Sequence, residues 1–176
     1  GITKQGTGTL TLSGTNTYSG AISVTAGTVA VTSNNALGDT TNRTNISSGA
    51  TLDLQNVNYS TTEQVNTSGT ISTSTGTSTL AGNVILDGNS TIDVDGTQLT
   101  LSGVVSGGNA ITKTGNGIAI LSATNTYTGD TTISAGTLRV TGSLNSHTDV
   151  SVSSGATYDI DASDTISSLS GAGTID

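Results

Sequence analysis

The 176-residue sequence contains no cysteine, proline, methionine, tryptophan or phenylalanine, and only four tyrosines. Without large residues a compact globular core cannot be filled, so whatever core exists must be thin. Without cysteine there are no disulfides, which decides little about compartment, because many bacterial secreted repeat proteins avoid them. Basic residues are almost as scarce. Lys4, Arg43, Lys113 and Arg139 are scattered singly in a chain of net charge −8, so no cationic stripe exists to neutralise phosphates, and nucleic acid is excluded as a partner. No apolar run approaches the roughly 20 residues needed to span a bilayer, and no signal segment opens the chain. Gly1 stands directly against the start of a repeat, which suggests that a leader and further polypeptide lie outside this sequence. The acidic, lysine-poor balance points to an exterior surface.

What is present is repetition. The stretch ITKQGTGTLTLSGTNTYSGAISVTAGTVAV, residues 2–31, returns at residues 111–140 as ITKTGNGIAILSATNTYTGDTTISAGTLRV, with 16 of 30 positions identical. Units that recur in this way bury their apolar faces by stacking on one another, so stacking decides the fold. Thr, Ser and Gly supply 86 of the 176 residues, but the aliphatics among them alternate, and Thr, Val and Ile favour extended backbone because Cβ branching stiffens χ1. The chain reads as all-β.

Alternating words mark the length of the chain: TLTL ending at Leu12, TVAV at Val31, TLDL at Leu54, GTI at Ile71, NVIL at Leu86, QLTL at Leu101, IAIL at Leu121, TLRV at Val140, TYDI at Ile160 and GTI at Ile175. Their spacing, about 15 to 23 residues, is too short for a propeller blade and leaves no helical half for a leucine-rich unit. It suits one coil of a parallel β-helix, with two or three short strands per coil joined by Gly, Asn and Ser corners. About nine coils at the inter-strand spacing give a rod roughly 40 Å long. Residues 55–80 are poor in aliphatics and are expected to form polar ladders or a protruding loop within one solenoid segment covering residues 1–176.

The words ITKQGTGTLTLSGTNTYSG, VTAGTVAV, NNALGD, SSGATLDL, LTLSGVVSGGNAITKTGNG, SAGTLRV and TISSLSGAGTI resemble the passenger-associated transport repeats of bacterial autotransporter passengers and related giant surface adhesins. The resemblance covers nearly the whole chain. It implies a right-handed parallel β-helix exported to the outer surface of a Gram-negative bacterium, normally followed by a membrane β-barrel. Such repeats serve as stalk and folding template, while adhesion or enzymatic activity belongs to loops or other regions.

Candidate sites are few. Asp87, Asp93 and Asp95 could offer oxygen ligands to a hard cation, but alternation turns Asp93 and Asp95 outward and no EF-hand loop surrounds them, so a solvated face is the stronger reading and no cofactor is expected. Parallel β-helices also host glycan-cleaving enzymes, which need paired carboxylates. This chain lacks aromatic sugar platforms, and its single His147 lies in a polar turn, so the chain reads as non-catalytic. In the shared TNTY word, Asn16 and Asn125 suggest corner residues bonding along the stack, with Tyr18 and Tyr127 lying over the coil edge. Outward Thr9 and Thr11 of the first copy align with Ile118 and Ile120 of the second. Either a loop covers that face, which is the preferred reading, or the register has slipped, or an apolar patch awaits a partner.

The sequence therefore points to a structural and adhesive surface module. Its partners would be other solenoid segments, of the same or neighbouring chains, and host or bacterial surface glycans and proteins. A fibre subunit stacking end to end is the alternative, and a glycan-active enzyme is third.

Overall fold

The computed structural model describes residues 1–161 and 163–176. Every strand pairing in it is parallel, and each joins one coil to the next, so the chain winds as a β-solenoid. Nine strands build one continuous face: Thr9–Leu12, Gly27–Val31, Ala50–Leu54, Thr70–Thr73, Ser90–Val94, Ile111–Thr114, Thr131–Ile133, Asp149–Val152 and Ser168–Gly171. A six-stranded face runs from Ile2–Lys4 through Ile22–Val24, Arg43–Ile46, Gln64–Thr67 and Val84–Leu86 to Val105–Gly107. A seven-stranded face begins only at Asn58–Tyr59 and continues through Thr77–Leu80, Gln98–Leu101, Ile118–Leu121, Thr137–Val140 and Thr157–Ile160 to Thr174–Ile175.

Registered positions along the nine-stranded face are Leu10, Val29, Leu52, Ile71, Ile92, Lys113, Ile133, Val152 and Gly171. The coils between them differ by a few residues, the longest being that from Val29 to Leu52. The alternating words of the sequence are not one face, as a single series of spacings would have it. TLTL, TVAV, TLDL and the first GTI lie on the nine-stranded face, NVIL on the six-stranded face, and QLTL and the later words on the seven-stranded face. Strand propensity and alternation are the same on all three faces, and neither distinguishes one from another.

This assignment explains a peculiarity of the repeat. Its first copy opens on the six-stranded face at Ile2–Lys4, whereas its second opens on the nine-stranded face at Ile111–Thr114. Five coils carry the register from Leu10 to Lys113, but the sequence equivalent of Leu10 is Ala119, which lies past Lys113 and past the corner that follows it. The repeat distance thus exceeds a whole number of coils by one corner, so the motif is turned by one face of the solenoid. Residues 55–107 make the turn by contributing three strands per coil, where the flanking coils contribute two strands and a loop.

The interior is a column of aliphatics fully or almost fully removed from solvent: Val29, Leu52, Ile71 and Ile92 on one face, Leu80, Leu101, Leu121 and Val140 on another, Val24, Ile46, Val65 and Val84 on the third. Each contributes on the order of 1.5–3 kcal/mol through burial. Residues 55–80 run through four strands. There polar side chains take interior and near-interior places, with Glu63, Asn66, Thr67, Ser72, Thr73 and Ser78 all buried. Outside, the nine-stranded face carries an unbroken hydroxyl ladder in register: Thr9, Thr28, Thr51, Thr70, Thr91, Thr112, Thr132, Ser151 and Ser170.

Candidate functional site

The clearest constructed feature that the two repeat copies share is a lysine turned inward. Lys113 is 0% exposed and occupies the aliphatic column between Ile92 and Ile133. Its ammonium donates to the carbonyls of Thr114, Gly115 and Ala135 at 2.6, 2.8 and 3.2 Å. Lys4 does the same with Gln5, Gly6 and Ala26 at 2.9, 2.6 and 3.1 Å, the equivalent three residues of the first copy. A lysine stem is apolar enough to pack in such a column while its head satisfies carbonyls at the corner. Burial pushes the Lys113 ammonium down to about 8, against the opposing pull of Asp93 and Asp95. Gly27 and Gly136 complete the two corners with φ of 69° and 64°. A Cβ there would meet corner carbonyls of the preceding coil at 2.4 and 2.5 Å, those of Gly6 and Gly115. Reading the basic residues as single scattered charges missed these corners. The signal was available in the recurrence of Lys at the third position of both copies.

The TNTY word forms the loop that replaces a strand. Asn16 donates to Ala36 O of the next coil at 2.7 Å, and Asn125, 2% exposed, donates to Ala123 O and Ser143 O at 2.9 and 3.0 Å while accepting from the Val105 amide at 2.9 Å. Both bond along the stack. Left-handed backbone occurs at Asn35 and Asn56 among the described non-glycine residues. The tyrosines differ. Tyr18 is half-buried and donates to Ala36 O at 3.2 Å, with its phenol pushed up to about 12 chiefly by burial. Tyr127 does not lie over the coil edge: it is 0% exposed, inside the column, with its hydroxyl 2.7 Å from Thr131 Oγ1. It fills the rung beyond Val105 where the six-stranded face has ended.

A buried ionisable group of opposite sign lies under the loop of residues 32–42. Glu63 is 1% exposed, accepts from Thr44 Oγ1 at 2.5 Å and from the Tyr59 hydroxyl at 3.4 Å, and that hydroxyl in turn accepts the Leu37 amide at 3.1 Å. Burial pushes its carboxyl up to about 7, the bonds from Thr44 and Tyr59 oppose this, and Asp39 adds to it. No sequence pattern singled out this residue.

The remaining candidates are dispersed. Asp87 and Asp95 are exposed, and Asp93 accepts from Thr114 Oγ1 at 2.6 Å. Asp87 accepts from Asn66 at 2.9 Å. Among the described residues no three His, Asp or Glu side chains come together as a metal site. Ile118 and Ile120 face outward and half-buried, between Gln98 and Thr137 and between Thr100 and Arg139 respectively. The register has not slipped, since Ala119 and Leu121 point inward at 0% exposure. Arg139 pairs with Asp159 and Asp161 at 2.8 and 3.0 Å, and His147 is exposed in its turn beside Asn145. The repeat positions Leu12, Val31, Leu54, Leu121, Val140 and Ile160 all belong to the interior column or pack against it. A shallow cleft of about 180 Å³ is lined by Thr40, Thr41, Asn42, Arg43 and Gln64.

Residues 2–31 and 111–140 match the family described as the passenger-associated-transport-repeat. The chain is 38% identical over 145 residues to the adhesin BmaC autotransporter of Brucella suis biovar 1 (strain 1330), an alignment that covers 81% of this chain and 4% of that protein. No solved structure matches.

Proposed function

This chain is of the autotransporter-passenger class, carries two passenger-associated transport repeats and is displayed at the outer surface of a Gram-negative cell; on that premise we propose that it is a rigid, non-catalytic stalk that presents adhesive faces. The observation that carries the reading is the unbroken parallel ladder of nine strands, in which every inner coil is tied to both neighbours by backbone bonds and a shared aliphatic column. Such a stack resists bending, because any kink breaks a ladder and opens the column at once.

The non-catalytic reading is supported by how the carboxylates are used. Asp53 accepts from Ser72, Ser74 and Gln55, Asp159 and Asp161 are held by Arg139, and Asp164 accepts from Tyr158 at 2.9 Å and the Leu144 amide at 2.9 Å. Each is occupied with its own neighbours, which does not favour the paired acid and base of a glycosidase. The partners proposed are surface glycans or proteins and the solenoids of neighbouring chains, met by the hydroxyl ladder and by two loop columns. One column, residues 13–21 and 32–42, lies in line with the later seven-stranded face, and the other, residues 122–130 and 141–148, beyond the end of the six-stranded face.

Beads coated with the protein and presented to cultured host cells test the adhesive part: attachment above albumin-coated beads supports it, and attachment equal to that control removes it. Small-angle scattering tests the rod separately, with an elongated particle about 40 Å long expected from the strand spacing.

A further inference from the structure

We propose that Glu63 is an acid-tightened latch for the loop of residues 32–42: neutral, it lets that loop close over the coil beneath, and ionised, it leaves a buried charge with no cation that loosens the loop. The geometry ties the loop to coils on both sides. From the preceding coil, Asn16 and Tyr18 both reach the Ala36 carbonyl, at 2.7 and 3.2 Å. From the following coil, the Tyr59 hydroxyl accepts the Leu37 amide at 3.1 Å and donates to Glu63 at 3.4 Å, so the carboxyl is one bond removed from the loop backbone. Its other oxygen stands 2.5 Å from the hydroxyl of Thr44, on the strand that leaves the loop, and when neutral it donates its proton to that hydroxyl.

The groups facing Glu63 are polar or acidic. They are Thr44 on Arg43–Ile46, Tyr59 on Asn58–Tyr59, Asp39 in the loop itself, and Tyr18 in the loop of the coil before. Arg43 stands next to Thr44 but is exposed on the outer face, and among the described residues neither Lys nor Arg forms an ion pair with Glu63. A buried carboxylate without a cation is costly, and the cost falls on the closed form alone, because opening the loop returns water to the carboxyl. The closed loop therefore binds the proton more tightly than the open one. Its advantage is complete below the ordinary carboxyl value of 4.5 and is lost as pH rises to about 7, after which it changes no further.

Hydrogen exchange of the amides in residues 32–42, measured by mass spectrometry from pH 5 to 9 and corrected for intrinsic exchange, tests this. The wild-type opening constant is expected to rise about ten- to a hundredfold between pH 5 and 7.5 and then to level off, while Glu63→Gln stays flat and as protected as the wild type at pH 5. A flat wild-type profile, or a rise that survives in Glu63→Gln, overturns the latch. Carbon NMR of the glutamate side chain in the unaltered protein gives an independent reading: the chain has a single glutamate, and a midpoint near 4.5 rather than near neutrality overturns it as well. The proposal does not depend on what the loop binds.

Discussion

Tyr127 and Thr131 form a closed pair whose removal has a calculable consequence. Both residues are 0% exposed, the two hydroxyl oxygens are 2.7 Å apart, and neither can turn to water. Tyr127→Phe keeps the ring in the column but strands the Thr131 hydroxyl, which costs about 1–2 kcal/mol, and Thr131→Val strands the phenol at a similar cost. The double variant replaces both partners by apolar groups of nearly the same shape, so it should cost less than the sum of the two, within about 1 kcal/mol of the wild type. The coupling energy is then about 1–4 kcal/mol. Urea unfolding followed by far-ultraviolet circular dichroism, with the denaturant slope checked for constancy across the four proteins, reads these values. Additive single-variant losses would refute the reasoning.

Other consequences follow from the same geometry. Lys113→Ala removes the donor for three corner carbonyls and opens a void between Ile92 and Ile133, and is expected to lower stability by about 2–4 kcal/mol in the same assay; a loss below about 0.5 kcal/mol would contradict the corner. The unfolded chain holds the lysine proton up to its ordinary value of 10.5 while the folded chain releases it at about 8, so stability relative to Lys113→Met should rise between pH 8 and 10, and a flat difference would argue against an interior ammonium. All four tyrosines are pushed up, chiefly by burial. Phenolate absorbance should therefore be absent from the native protein at pH 10.5 and appear on unfolding; half-titration at that pH in the folded state would contradict their burial. Replacing Ile118 and Ile120 together by Thr should reduce light scattering at high concentration if that half-buried pair contributes to contacts between solenoids, and unchanged scattering would remove it as a contact.

The fold was legible because two independent periods agreed: alternation within each word and a longer, coil-length recurrence between them. What could not be read was the face each word occupies. TLTL and IAIL are equivalent words, yet Leu10 stacks on the nine-stranded face and Ala119 on the seven-stranded one, a difference set by the coil lengths between them rather than by their own residues. The same ambiguity hid the hydroxyl ladder, since Thr28, Thr51 and Thr70 align only once the unequal coils that separate them are in register. The interior charges escaped for another reason. Lys4, Lys113 and Glu63 violate the rule that charged residues stay outside, and each is made tolerable in part by a group from a neighbouring coil, the Ala26 carbonyl for Lys4, the Ala135 carbonyl for Lys113 and the Thr44 hydroxyl for Glu63, which no local pattern discloses.

The central claim is that successive coils stack in register as one straight parallel ladder, and a distance measured along that ladder tests it most directly. The sequence has no cysteine, so a variant with Thr28→Cys and Ser151→Cys carries spin labels at those two positions alone, both outward on the same register line and six coils apart. At the strand spacing the two backbone positions are about 29 Å apart. Pulsed dipolar spectroscopy should then give one narrow distribution centred near that value, whereas a broad distribution, or one centred well beyond it, would contradict the solenoid and the stalk built upon it.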